Sequence, residues 1–384
     1  MTTAFNPAFA VRREVTLSGH LLDSLTLAKV LDLIEAMGGD YALNALTIGQ
    51  SRREFSFASI EVAAADNAAL EAIVAALQPH LDKTPFPSSD CRQGRGAALA
   101  AACEASPLKI GASPLGAPQT PKVLMCAPDY FTIEYAINPW MSVGGACDGA
   151  MARQQWEALA QAIEAAGAQT LRLQPVAGLP DLVFTANAAF VYGDCAIIAH
   201  YKFPERQGEE PHVQRWFQEQ GFRVATMAPG IHFEGAGDAL IWRDRVFAGY
   251  KTRSALASHS AITAQTGLPV LSLELIDPRF YHIDVCLCPL RGGHTLFYPG
   301  AFDDWGQSVV RANIPPELLI EVTPEEAADF ACNAVNIDDA VILNRPSARL
   351  REILGARGFN VVGLDMSEFL KSGGSCKCLT LRVG

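Results

Sequence analysis

Between residues 11 and 83 the spacing of apolar and polar positions switches repeatedly. Residues 13–22 (REVTLSGHLL) alternate, the period of a half-buried strand. Residues 23–39 (DSLTLAKVLDLIEAMGG) carry apolar side chains three and four apart and end at a glycine pair, which predicts a helix and its stop. Alternation returns in residues 40–50 (DYALNALTIGQ) and 54–64 (EFSFASIEVAA), predicting two more strands. Residues 66–81 (DNAALEAIVAALQPHL) predict a second helix, opened by an Asp or Asn cap. The order βαββα predicts a small α+β unit over residues 1–83. His20, Asp23 and Ser24 fall at its first strand–helix turn, where capping explains them as well as chemistry does. Residues 84–120 are dominated by Pro, Gly, Ser and Ala and predict a linker, with one short helix over 96–104.

From residue 121 to 384 the pattern becomes repetitive. FVYGDCAIIAHY, LIWRDRVFAGY, CPLRGGHTLFYPG and AVNIDDAVILN each predict two short strands around a tight turn. After most of them come an amphipathic helix, a glycine and another strand, as in PHVQRWFQEQGFRVATM and SARLREILGARGFNVVGLDM. The residues that open each unit, Asn138, Asn187, Glu234, His282, Asn333 and Cys378, are 49, 47, 48, 51 and 45 apart. Such a period predicts radial or stacked repetition, and interleaved helices make its closed form an α/β propeller of five ββαβ blades. Polar residues at equivalent places would then converge on one axis.

Composition narrows the partners. With 384 residues, 49% hydrophobic and 18% charged, the chain can bury the cores of about two domains. Its net charge of −11 disfavours nucleic acid and anionic membrane surfaces and admits a cationic small molecule. No run reaches the ~18 apolar residues of a membrane span, and MTTAFNPAFAVRREV lacks a signal-peptide core. A cytoplasmic protein is expected, in which the ten cysteines remain thiols. A homo-oligomer is also expected.

The openers carry chemistry. HFEGAGDAL sets Glu234 and Asp238 around a glycine-rich bend, and GLPDLVFTANAAF brings Asp181 and Asn187 around Phe184. YHIDVCLCPL alternates like a strand, which would put His282, Asp284, Cys286 and Cys288 on one face, with His and Asp about 7 Å apart. GGSCKCLTL supplies a thiol, and the repeat register selects Cys378 over Cys376. A thiol, a histidine and two carboxylates suit attack on a planar cationic carbon. Carboxylates can hold a guanidinium by paired hydrogen bonds, the thiolate attacks, and the histidine protonates the leaving amine. No metal or organic cofactor is needed.

FTANAAF, FEGAGD, HIDVC and GGSCKCLT together resemble the pentein superfamily of guanidino-group-modifying enzymes, which are five-bladed ββαβ propellers. INPWM and PERQGEEPH are similar to its arginine dihydrolase branch, and GHLLDSLTLAKVLDLIEAMGGDY resembles the LOR/SDH conserved domain. The resemblance implies Cys378 as nucleophile, His282 as general acid and base, and Glu234 and Asp284 as the guanidinium grip. It implies Phe184 beside the substrate, Arg206 and Arg253 as candidates for the substrate α-carboxylate, and Asn138 near the amino-acid end. It further implies an arginine dihydrolase that releases ornithine, carbon dioxide and two ammonia. Arginine deiminase and dimethylarginine dimethylaminohydrolase are the alternatives within the superfamily. Asn187 departs from the deiminase pattern, where an aspartate follows Phe-Thr-Arg. An amide both donates and accepts, which suits a neutral ureido intermediate. A metal hydrolase using His282, Asp284, Glu234 and the Cys-x-Cys pairs, and an arginine-sensing protein on an inactive scaffold, are the rival classes.

Overall fold

The computed structural model describes residues 9, 11–22, 24–49, 55–81 and 120–384. Asp23 and residues 84–119, which hold the predicted linker and its short helix, lie outside the described residues. Near the N-terminus, strands β1 (Val11–Gly19), β2 (Asp40–Thr47) and β3 (Ser56–Ala64) form an antiparallel sheet in the order β1-β3-β2. Helices α1 (Thr26–Ala36) and α2 (Asn67–Leu77) complete the expected βαββα order. The cap of α2 is Asp66, whose carboxylate accepts from the Ala69 N–H at 2.8 Å. Leu70, Ile73, Val74 and Leu77 of α2 share one face, and they pack with Val30 and Ile34 of α1 and Ile60 and Val62 of β3. Lys29 of α1 is ion-paired with Glu274 and Asp303, and the His80 ring meets the Tyr250 hydroxyl at 3.1 Å.

Beyond residue 121 the described strands make five more three-stranded sheets. One holds β4 (Lys122–Cys126) and β5 (Gln169–Leu173). The next are β6 (Ala189–Tyr192), β7 (Cys195–Ile198) and β8 (Arg223–Ala225), then β9 (Ala239–Trp242), β10 (Arg245–Tyr250) and β11 (Val270–Glu274). They are followed by β12 (Leu287–Pro289), β13 (Thr295–Phe297) and β14 (Leu319–Glu321), and by β15 (Val335–Ile337), β16 (Ala340–Asn344) and β17 (Asn360–Leu364). The last strand, β18 (Leu381–Arg382), returns to the first of these sheets, antiparallel to β4 with Leu381 opposite Leu124. Each of these five sheets repeats one plan: an antiparallel pair, then a third strand parallel to the middle one. A parallel partner requires a crossover, which helices such as Glu210–Glu219, Ala257–Thr266 and Ala348–Ala356 supply.

Two expectations are corrected. The strand expected over residues 281–290 is only β12, because Ile283–Val285 form a 3₁₀ turn. The Ile283 N–H is taken by the Asp238 carboxylate at 3.2 Å and the Cys286 N–H by the Ile283 carbonyl at 3.1 Å, so neither joins a ladder. His282, Asp284, Cys286 and Cys288 therefore do not share a strand face. Residues 376–379 likewise turn, and the strand begins at Leu381. Asn138 is out of register with the other openers. It lies between β4 and helix Gly149–Ala165, whereas Asn187, Glu234, His282, Asn333 and Cys378 each sit a few residues before the first strand of a sheet.

Candidate active site

Turns ahead of the first strands carry the polar openers inward. Cys378, His282, Glu234, Asp284, Asn187 and Asn333 are all at most 3% exposed. The turns touch directly, since the Ala186 N–H donates to the Cys378 carbonyl at 3.1 Å. Close approach explains a glycine at 237, where a Cβ would lie 2.2 Å from Asn187 Nδ2.

One half of the site is a chain of charges. His282 Nε2 lies 2.7 Å from Glu234 Oε2, which also accepts from Arg253 Nη1 at 2.9 Å. Burial opposes the Glu234 charge, yet Arg253 and His282 hold this carboxyl well below the ordinary range. On the other side of the ring, His282 Nδ1 faces Asn187 Nδ2 at 3.3 Å. Arg206 Nη1 donates to Asn187 Oδ1 at 2.8 Å, so the Asn187 amide presents its NH₂ to the histidine. Nδ1 is then the accepting nitrogen and Nε2 carries the proton towards Glu234. Asp238 braces the turn from below, accepting from the Ser254 hydroxyl at 2.6 Å and from the Ile283 N–H. Burial pushes Asp238 up to about 6.

The other half lacks this compensation. Cys378 Sγ lies 3.6 Å and 3.9 Å from the two Asp284 oxygens. Burial, then Asp284, pushes the thiol well above its usual range, and burial pushes Asp284 up to about 7. Lys377 lowers both without reaching either by a hydrogen bond among the described residues. Asn333 donates to the Cys378 sulfur at 3.0 Å.

The remaining predicted residues surround these halves. Phe184 packs its ring over the glycines before Cys378, where a Cβ on Gly374 would meet it at 2.4 Å. Asn138 donates to the Ser372 carbonyl at 3.0 Å, which ties the segment after β4 to the same loop. Arg253 lies between the Phe203 and Tyr281 rings, 4.7 Å and 4.6 Å from their centroids, and donates to the Ile137 carbonyl at 2.8 Å. Arg206 is spent: it grips both Glu209 oxygens at 2.8 Å, the Asp181 carbonyl at 3.0 Å and Asn187. Its expected contact with a substrate carboxylate would have to break that buried pair. Glu234, expected to share the guanidinium grip with Asp284, is engaged by Arg253 and His282 through Oε2.

Two residues to which the sequence assigns no role also lie at the site. Asn333 was a repeat marker without a role. Asp181 accepts from the Tyr135 hydroxyl at 3.0 Å while its other oxygen, Oδ1, is buried without a partner. The repeat register pointed to the first and the Pro-Asp-Leu turn to the second. Among the described residues no three His, Cys, Asp or Glu side chains group as metal ligands would, and no helix is long and apolar enough to cross a membrane.

Repeated ββαβ sheets with a buried thiol, a His–carboxylate pair and a second carboxylate at their leading turns define a protein of the pentein class. Residues 145–383 match the family described as "N,N dimethylarginine dimethylhydrolase, eukaryotic", and the chain belongs to it. Residues 12–102 match the "LOR/SDH bifunctional enzyme conserved region", a match that runs past residue 83 into the predicted linker. The chain is 46% identical over 266 residues to the bifunctional arginine dihydrolase/ornithine cyclodeaminase ArgZ of Synechocystis, spanning 68% of this chain but only 37% of that protein. It is 40% identical over 276 residues to an N(G),N(G)-dimethylarginine dimethylaminohydrolase of Mycobacterium tuberculosis, covering 72% and 90% of the two. A solved N-terminal domain of ArgZ, a cysteine-to-serine mutant bound to substrate, matches with a TM-score of 0.67 at 46% identity over 68% of this chain and 98% of that one.

Proposed function

We propose that this chain hydrolyses the guanidinium group of L-arginine to ornithine, carbon dioxide and two ammonia. The observation that carries the reading is the Cys378–Asp284 pair: a buried thiol against a carboxylate that no arginine or lysine pairs among the described residues. Asp284 grips the arriving guanidinium, whose charge supplies what the thiol lacks and favours the thiolate. The Cys378 thiol gives its proton to His282 as its sulfur adds to the guanidinium carbon, the imidazolium passes that proton to the departing nitrogen, and ammonia leaves an amidino-thioester. His282, neutral again, takes a proton from water, which adds to the same carbon. The thiolate departs and citrulline forms in place. A second attack expels the second ammonia and leaves a thiocarbamate, whose hydrolysis gives ornithine and carbon dioxide. Glu234 orients His282 through Nε2.

Within this proposal Arg253, with N–H groups beyond the two used, meets the substrate α-carboxylate beside Asn138, and Phe184 packs against its carbon stem. Arg206 positions Asn187, and the unpartnered Asp181 oxygen accepts from a substrate nitrogen. Asn187 holds the ureido group for the second round. The fold proposed is the five-bladed propeller. Residues from all five sheets line one cavity of about 960 Å³, and β18 joins the end of the region to its start, both as closure requires. The division proposed is an α+β unit over 1–83, a linker over 84–120 and a catalytic region over 121–384. A cytoplasmic location suits a thiol nucleophile, and self-association is checked by light scattering.

Dimethylarginine hydrolysis is the second reading, favoured by the family match and the mycobacterial relative. Incubation with each substrate separates them. Ornithine with two ammonia per arginine supports the dihydrolase, and citrulline with one supports a deiminase. Dimethylamine from dimethylarginine supports the second reading. No product from either returns the chain to an arginine sensor.

A further inference from the structure

Asn333 is fully buried, and both ends of its amide are engaged by the nucleophile's own surroundings. Oδ1 accepts from the Cys378 backbone N–H at 3.1 Å, while Nδ2 donates to the Cys378 sulfur at 3.0 Å and to the Asp284 carbonyl at 3.1 Å. These contacts fix the amide's orientation. Turned over, it would set its oxygen against a sulfur and a carbonyl, and its NH₂ against an N–H. Asn333 also accepts from the Lys377 N–H at 3.2 Å, so it grips the nucleophile's turn from both sides of the peptide.

We propose that Asn333 is a positioning residue that stands in for the substrate's positive charge whenever the Cys378 thiolate forms or departs beside a neutral partner. The inference rests on the two-round reading above. In the first attack the guanidinium compensates the anion. Citrulline carries no charge, so in the second attack the thiolate is opposed by burial and by Asp284. The same holds when thiolate leaves either thioester, since its product is neutral. A fixed N–H aimed at sulfur persists through each of these steps, at no reorganisation cost. It changes no covalent balance: the thiolate's electron pair forms and leaves the carbon–sulfur bond, and Asn333 keeps its protons.

The test compares two alkylating agents on the intact protein, following the Cys378 peptide by mass spectrometry. Iodoacetamide is neutral, whereas 2-chloroacetamidine carries an amidinium. Asn333→Ala should slow iodoacetamide about tenfold to a hundredfold, the worth of a hydrogen bond to a charged group, and slow the cationic reagent far less. Asn333→Asp retains the acceptor for the Cys378 N–H and removes the donor, so it separates the sulfur contact from backbone support and should slow iodoacetamide at least as much. Equal slowing with both reagents, or none, overturns the proposal. If Asn333→Ala fails to fold by circular dichroism, Asn333→Asp alone decides the comparison. With arginine as substrate both variants should also release a larger share of citrulline. A wild-type protein that makes no ornithine would sink the two-round reading, while the alkylation comparison would still decide the role of Asn333.

Discussion

The two halves of the site are built on opposite electrostatic terms. Around His282, Glu234 has Arg253 and Arg206 has Glu209, so each charge is met inside the protein. Around Cys378, the Asp284 carboxylate meets only a thiol, an amide and the field of Lys377 among the described residues. A buried compensated pair is rigid and already at rest, which suits a histidine that must hold one orientation. An uncompensated carboxylate is poised, and a cation is what relieves it. The difference leaves Glu234 paired within the protein and Asp284 without a cationic partner among the described residues.

Removing the nucleophile should have the largest effect. Cys378→Ser should lower turnover by on the order of 10⁴-fold or more. Cys376→Ser should leave turnover nearly intact, because the Cys376 thiol meets the Ser375 hydroxyl at 3.9 Å, whereas the Cys378 thiol meets Asp284 and Asn333. Equal losses from the two would remove the asymmetry within GGSCKCLTL.

The contrast in charge pairing is tested by opening each half. Arg253→Met strands the Glu234 charge and should cost about 3–5 kcal/mol in denaturant unfolding, as broken buried pairs do. Asp284→Asn should do the reverse to stability while weakening arginine binding by about tenfold to a hundredfold. The folded state holds the Asp284 proton up to about 7, above the ~3.9 of an unfolded chain. Its stabilising contribution is therefore full below the unfolded value and is lost as pH rises towards 7. Asp284→Asn should gain in unfolding free energy relative to wild type between pH 5 and pH 8, by a few kcal/mol at most, and a difference that ignores pH would break the comparison. Arginine affinity in the wild type should rise across the same interval as Asp284 ionises.

Asn187→Asp is the finest probe. It offers His282 Nδ1 an acceptor in place of a donor and sets a second carboxylate where a neutral ureido group has to rest. The ornithine share of product should fall several-fold in favour of citrulline, measured by chromatography of a single reaction. An unchanged share would detach Asn187 from the second round.

Hairpins, helices and their order were legible in the chain because their causes are local. Turn residues such as Gly193-Asp194 and Asp338-Asp339, a capping Asp66 and apolar side chains at helical spacing act within a few residues. The openers were legible because repetition marks them, except Asn138, whose spacing matched without sharing the turn-before-strand setting. Residues 281–290 misled because alternation cannot reveal that Asp238, 45 residues earlier, takes the Ile283 N–H.

The sequence by itself determined the repeat and the chemical kinds at its openers. Tertiary structure alone decided who faces whom. His282 meets Asn187 across 95 positions, Glu234 across 48, and Cys378 meets Asp284 across 94 and Asn333 across 45. Charges that distant in sequence are free to pair in many ways. Only the packed turns, at 2.7–3.6 Å, decide which carboxylate is compensated within the protein.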